Sequence, residues 1–153
     1  MWFRSFLLTA LVLSACDCEA SSPEDQVRAV LAAAEDAAER NQFRALRALI
    51  SVNYSDERGR DQQAMGQLLF LYVRRHRSVH VLTRVSSITF PEPTRAHVSL
   101  LVATAGQPIE APEDLSRVSA DLHRFELVLV DDDLGDWKVT SANWRRAQLP
   151  DFM

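Results

Sequence analysis

The side chains able to do chemistry on this chain are few and scattered. They are the thiols of Cys16 and Cys18, the carboxylate of Asp56 beside Tyr54, and the imidazoles of His76, His80, His97 and His123. Histidines hold a metal when several converge with a further ligand. His76 and His80 have the i,i+4 spacing of a helical pair, but one is expected at a helix end and the other on a strand. His97 and His123 fall on neighbouring strands, where they could face each other. No acid or cysteine stands beside them as an obvious further ligand, so no metal site is expected. Asp56, within Asn53-Tyr54-Ser55-Asp56, reads first as a turn former bonding its own backbone. The chain has only 4 glycines, too few for phosphate-cradling loops, and it has no Ser/His/Asp triad or cofactor fingerprint. No cofactor is expected.

The elements that must position these groups change character midway. Ser22-Pro23-Glu24-Asp25 starts a helix: serine caps, proline suits the first position, and acids favour the positive dipole end. Val27, Val30, Leu31, Ala34, Ala37 and Ala38 then recur at helical spacing as far as Asn41. A shorter helix turns Phe43, Leu46, Leu49 and Ile50 inward. A third is capped by Asp61 and runs to about His76, with Met65, Leu68, Leu69, Tyr72 and Val73 on its apolar face. From Val79 the period becomes that of strands. Four are expected, over 79–90, 95–104, 121–130 and 137–145, with one helical turn near Pro112-Glu113-Asp114-Leu115. Helices followed by an antiparallel meander define an α+β fold.

Side-chain parity suggests where a pocket would lie. Trp137, Val139 and Ser141 share one strand face, as do Phe125, Leu127 and Leu129, and both sets are expected to look at the helices. Tyr54, Tyr72, Phe125 and Trp137 are the pocket candidates, with Phe70 and Trp144 as further rim or partner-surface aromatics. Arg74-Arg75-His76-Arg77 with Arg84 forms a basic cluster in an acidic chain. It suits either anionic lipid headgroups or the negative end of the third helix dipole.

The amino terminus has its own logic. Arg4, the apolar run Phe6 to Leu13 and the small residues Ser14 and Ala15 have the layout of a secretory signal, too short to span a bilayer. With Cys16 behind it, Leu13-Ser14-Ala15-Cys16 resembles the lipobox of bacterial lipoproteins. The resemblance implies that residues 1–15 are removed and that Cys16 is lipidated. Residues 16–22 then form a tether, 23–147 the domain and 148–153 a carboxy-terminal tail. Several acyl chains make a stable membrane anchor, whereas one is marginal. The implied location is the cell envelope, facing the periplasm. Asp17 resembles an inner-membrane retention signal, which favours the inner over the outer membrane. Cys18, left without a partner in the chain, is read as a bystander in the tether.

Seventeen basic residues against 21 acidic give a net charge of -4, or -5 once Arg4 is removed with the signal. An acidic domain is a poor nucleic-acid binder, since phosphate contacts need a basic face. About 47 % of the residues are hydrophobic, enough for one globular core.

The order of elements resembles the nuclear-transport-factor-2-like superfamily, also termed cystatin-like or ketosteroid-isomerase-like. The resemblance is carried by Asn41-Gln42-Phe43-Arg44-Ala45-Leu46 at the second helix, the Tyr54-Ser55-Asp56 break and Asp136-Trp137-Lys138-Val139 opening the last strand. It implies amino-terminal helices packed in the concave face of a curved four-stranded antiparallel sheet, a cone with a pocket. In the isomerases an aspartate base works with a tyrosine and a protonated aspartic acid. Asp56 lies near the base position, but the first helix has no tyrosine and Val98 to Ala103 has no acid. The expectation is therefore a lipid-anchored, non-enzymatic module binding a partner protein or a small apolar ligand. The alternatives are an isomerase- or cyclase-like enzyme with Asp56 as base, or a structural homodimer.

Overall fold

A computed structural model describes residues 21–76, 78–132 and 135–153. Cys16, Cys18, Arg77 and the middle of the 131–136 turn lie outside the described residues. The order is α1 (Pro23–Glu39), α2 (Phe43–Ala48), α3 (Gln62–Arg75), β1 (His80–Glu92), β2 (Arg95–Ala105), β3 (Ala120–Asp131) and β4 (Trp137–Arg146). Short 3-10 helices cover Pro112–Ser116 and Leu149–Phe152. The expected caps form: Ser22 Oγ accepts from the Asp25 N–H at 3.1 Å, and Asp61 Oδ1 accepts from the Ala64 N–H at 2.8 Å. Asn41 ends the first helical segment with φ at 55°, a conformation asparagine tolerates better than most residues.

The strands form one antiparallel sheet in the order β1-β2-β3-β4. Together with the helices this is the α+β architecture, helices against a curved four-stranded sheet. On the concave face, Ala96, Val98, Leu100, Leu129 and Trp137 pack against Val27 and Leu31 of α1. Trp137 is 2 % exposed, and its indole N–H donates to Gln26 Oε1 at 2.8 Å. Fully burying a side chain of this kind contributes about 1.5–3 kcal/mol. Tyr54, Ile50, Met65 and Ala142 make a second cluster beneath α3.

A third cluster lies on the opposite face of the sheet. Leu101, Ala103 and Ala105 are covered there by Ile109, Leu115 and Phe152. The last six residues, expected as a tail, therefore close a core: Phe152 is wholly buried. Besides Leu149 that stretch has Phe152 and Met153 as large apolar residues, too short a pattern to read as an element. Farther along, the same face presents Thr89, His97, Ser99 and Glu126, with a Ser99–Glu126 hydrogen bond of 2.9 Å.

Both outer edges of the sheet are managed. Residues 49–55 run along β4: Ser51 N–H donates to the Val139 carbonyl at 2.9 Å, and Ser55 N–H to the Thr140 carbonyl at 3.0 Å. Beneath this contact β4 carries a bulge, because Leu129 pairs with Val139 and Val128 with Ser141. The extra residue reverses parity, so Ser141 leaves the face of Trp137 and Val139, and Ala142 and Trp144 take it over. At the other edge, Glu39 of α1 accepts from the Val81 N–H at 2.9 Å, and β1 has its own register shift between Val85 and Ser87.

Candidate functional site

Helix α3 carries Gln67-Leu68-Leu69-Phe70-Leu71-Tyr72-Val73, apolar on more faces than one stripe can bury. Met65 is buried against the sheet, while Leu68 and Leu71 remain 42 % and 53 % exposed. Between this helix and the open end of the concave face lies a cavity of about 580 Å³. That is within the ~300–1,000 Å³ range of small-molecule sites. The helix supplies Leu68, Leu69, Leu71 and Tyr72, and the sheet supplies Val102, Thr104, Phe125 and Trp144. Arg58, Arg60, Arg75, His76, Asp121 and His123 bring charge and polarity to the same wall.

The aromatic floor is ordered by stacking. The rings of Phe125 and Trp144 lie 5.7 Å apart and nearly parallel, at 23°. They are opposed across β3 and β4. Arg60 covers the indole with its guanidinium 4.3 Å from the ring centre, and the guanidinium of Arg58 lies 5.6 Å from the same centre. Such cation–π contacts contribute about 0.5–2 kcal/mol each. At the far end of α3, His76 Nδ1 sits 2.9 Å from the Tyr72 carbonyl, and the two rings are 4.4 Å apart. A carbonyl only accepts, so Nδ1 is the donor in this contact.

Asp56 occupies the turn leading to α3. Its Oδ1 accepts from the N–H of Arg58 at 2.9 Å and of Arg60 at 3.1 Å. Its Oδ2 accepts from the Tyr54 hydroxyl at 3.0 Å and from Arg60 Nε at 2.7 Å. Burial pushes the carboxyl upward, but the Arg60 N–H and guanidinium, the Tyr54 hydroxyl and the Arg58 N–H outweigh it. The result is a carboxyl held below the ordinary aspartate range. Burial, then the bond to Asp56, raises the Tyr54 phenol well above its usual value. Gly59, at φ +70°, supplies the left-handed residue that closes this turn.

Of the expected pocket residues, Tyr72 and Phe125 line the cavity. Tyr54 lies below its floor in the core, with Asp56 beside it, and Trp137 sits at the other end of the concave face under α1. The four histidines do not form one cluster, although His76 and His123 both line the cavity. His76 follows α3 and His80 opens β1, as expected. His97 pairs with Val128 and points to the opposite face from His123, which pairs with Val102. The neighbouring strands are antiparallel with a register that keeps the two apart. Among the described residues, no three His, Cys, Asp or Glu side chains cluster as metal ligands would. The sequence reading missed Arg58, Arg60 and Asp121 as wall residues. Asp56-Glu57-Arg58-Gly59-Arg60-Asp61 balances its two arginines with three acids, so no local charge signal marked Arg58 and Arg60.

No protein-family model matches the chain, and no curated protein matches it in sequence. Solved structures do match in fold. One is a proposed scytalone dehydratase from Novosphingobium aromaticivorans, 15 % identical with a TM-score of 0.65, covering 82 % of this chain and 84 % of that one. Another is a domain of unknown function with a cystatin-like fold from Nostoc punctiforme, 14 % identical with a TM-score of 0.64, covering 82 % and 78 %. A third is a proposed dehydratase of the nuclear-transport-factor-2-like family from Streptomyces avermitilis, 15 % identical with a TM-score of 0.63, covering 82 % and 97 %. The chain therefore has the nuclear-transport-factor-2-like, cystatin-like fold. At these identities the likeness is one of fold, and function rests on the site.

Proposed function

We propose that this chain is a lipid-anchored cell-envelope module that holds a small apolar ligand in the cavity beneath α3 without transforming it. The observation that carries the reading is the cavity itself, with stacked Phe125 and Trp144 as a floor and partly exposed leucines of α3 at its side. Apolar groups left facing water in a concave site gain free energy when a ligand covers them, about 25 cal/mol per Å². All three core clusters lie within Val27 to Phe152, so residues 21–153 make the natural object of study. Native mass spectrometry of that domain should show added mass that leaves on denaturation. A bare spectrum, with no saturable binding of apolar probes, would overturn the reading. The anchor rests on the lipobox-like residues ending at Cys16, and Cys16→Ser should abolish incorporation of labelled fatty acid.

The second reading, an isomerase- or cyclase-like enzyme with Asp56 as base, draws on the dehydratase descriptions of two similarly folded proteins. It needs a carboxylate with a free lone pair facing the ligand. Asp56 has both oxygens engaged, which supports the binding reading over this one. A substrate whose turnover vanishes in a folded Asp56→Asn variant would restore it.

A further inference from the structure

We propose that the cavity selects an anion: an apolar body ending in a carboxylate that Arg58 receives. The inference rests on the ligand-binding reading above and adds the charge of the ligand to it. The whole chain is acidic, at -4. The cavity wall reverses that sign, with Arg58, Arg60 and Arg75 against the single carboxylate of Asp121. Arg60 is neutralised from behind by Asp56 at 2.7 Å. Among the described residues, no carboxylate lies within ion-pair distance of Arg58 or Arg75.

Arg58 is the better placed of the two free cations. Its guanidinium shares the Trp144 ring with that of Arg60, so two positive charges approach one indole, and of the two it is Arg60 that is ion-paired, to Asp56. Arg58 is exposed at the rim of the aromatic floor, so its charge is open to an incoming anion. Its backbone is fixed at the root, since the Arg58 N–H is bound to Asp56 Oδ1 and Gly59 closes the turn behind it. A guanidinium on an anchored turn meets a carboxylate through two parallel hydrogen bonds with little ordering left to do. The same excess charge disfavours a cationic ligand.

The test uses residues 21–153 and three probes sharing one alkyl tail: decanoate, decanol and decyltrimethylammonium, titrated calorimetrically. Decanoate should bind about tenfold more tightly than decanol, with the ammonium weakest. In Arg58→Gln the decanoate-to-decanol ratio should fall to within about threefold of unity. Decanol binding as well as decanoate in the unaltered protein would overturn the anion and leave the apolar-ligand reading standing. A ratio unchanged in folded Arg58→Gln would overturn the role of Arg58. Failure of all three probes would overturn the underlying reading itself. Should Arg58→Gln not fold, raising ionic strength from about 0.05 M to about 0.5 M on the unaltered protein decides: decanoate alone should weaken.

Discussion

Arg60 Nε reaches Asp56 Oδ2 at 2.7 Å, and the side chain of Asp56 has no exposed surface. The two residues close a turn, and the arginine spends its other face on Trp144 in the cavity wall. A buried pair of this kind joins the fold of the 56–60 segment to the floor of the site.

Replacing Asp56 by Asn leaves Arg60 without its counter-charge and should cost about 3 kcal/mol. For a domain of this size that lowers Tm by roughly 10 °C. The folded carboxyl lies below its unfolded value of about 3.9. Its contribution is therefore present above that value and is lost as pH falls through the lower, folded one. The gap in Tm between wild type and Asp56→Asn should hold from about pH 8 to pH 5 and narrow below about pH 4. Melts across that range check it, and a gap that widens in acid would contradict the assignment.

Gln26 and Gly135 act together under Trp137. Gln26→Ala strands the indole N–H and should cost about 1–3 kcal/mol. A side chain at Gly135 would sit at φ +106° with its Cβ 3.4 Å from Gln26 Oε1. Gly135→Ala should therefore cost roughly 1–2 kcal/mol from the backbone alone. The two losses should not add, because both act on the Gln26–Trp137 bond; a double-mutant cycle in urea measures the coupling.

Phe152→Ala removes the only aromatic ring in the cluster of Leu101, Ala103, Ala105, Ile109 and Leu115. The expected loss is about 3–5 kcal/mol. Arg84 also hydrogen-bonds the Phe152 carbonyl, tying the chain end to β1. Deleting residues 148–153 should thus unfold the domain at lower urea than Phe152→Ala does. Equal midpoints for deletion and wild type would show that these residues carry no load.

The broad plan was readable because its signals are local. Ser22-Pro23 and Asp61 cap where caps were expected, and the change of period after Arg75 is a change of side-chain direction per residue. Features set by distant contact were not readable. The β4 bulge lies where residues 49–55 meet that edge, and no local residue announces it, so Ser141 faces away from Trp137 and Val139. Phe152 is buried by a loop some 40 residues earlier. The cavity was half legible. Tyr72 and Phe125 line it, yet Arg58 and Arg60 owe their place to a turn whose partner strand lies more than 80 residues on.

Leu71 separates folding from binding. It is 53 % exposed and lines the cavity, so Leu71→Gln should shift Tm by no more than about 2 °C. Affinity for an apolar probe such as decanol should fall about three- to tenfold, from lost apolar contact. Calorimetry beside a thermal melt makes the comparison. Affinity unchanged in a stable variant would place the ligand elsewhere.

The treatment of the sheet edges has a consequence for crowded solutions. One border is met at Val139 and Thr140 by the chain's own residues 49–55, and the other starts under the Glu39 carboxylate, carries a bulge and ends near Pro91. Carboxylates, bulges and prolines are the devices that keep strands from recruiting foreign strands. Copies packed together are thereby hindered from growing into fibrils by adding strand to strand, so a chain whose helix α3 displays three exposed apolar side chains remains guarded against cross-β assembly along its backbone.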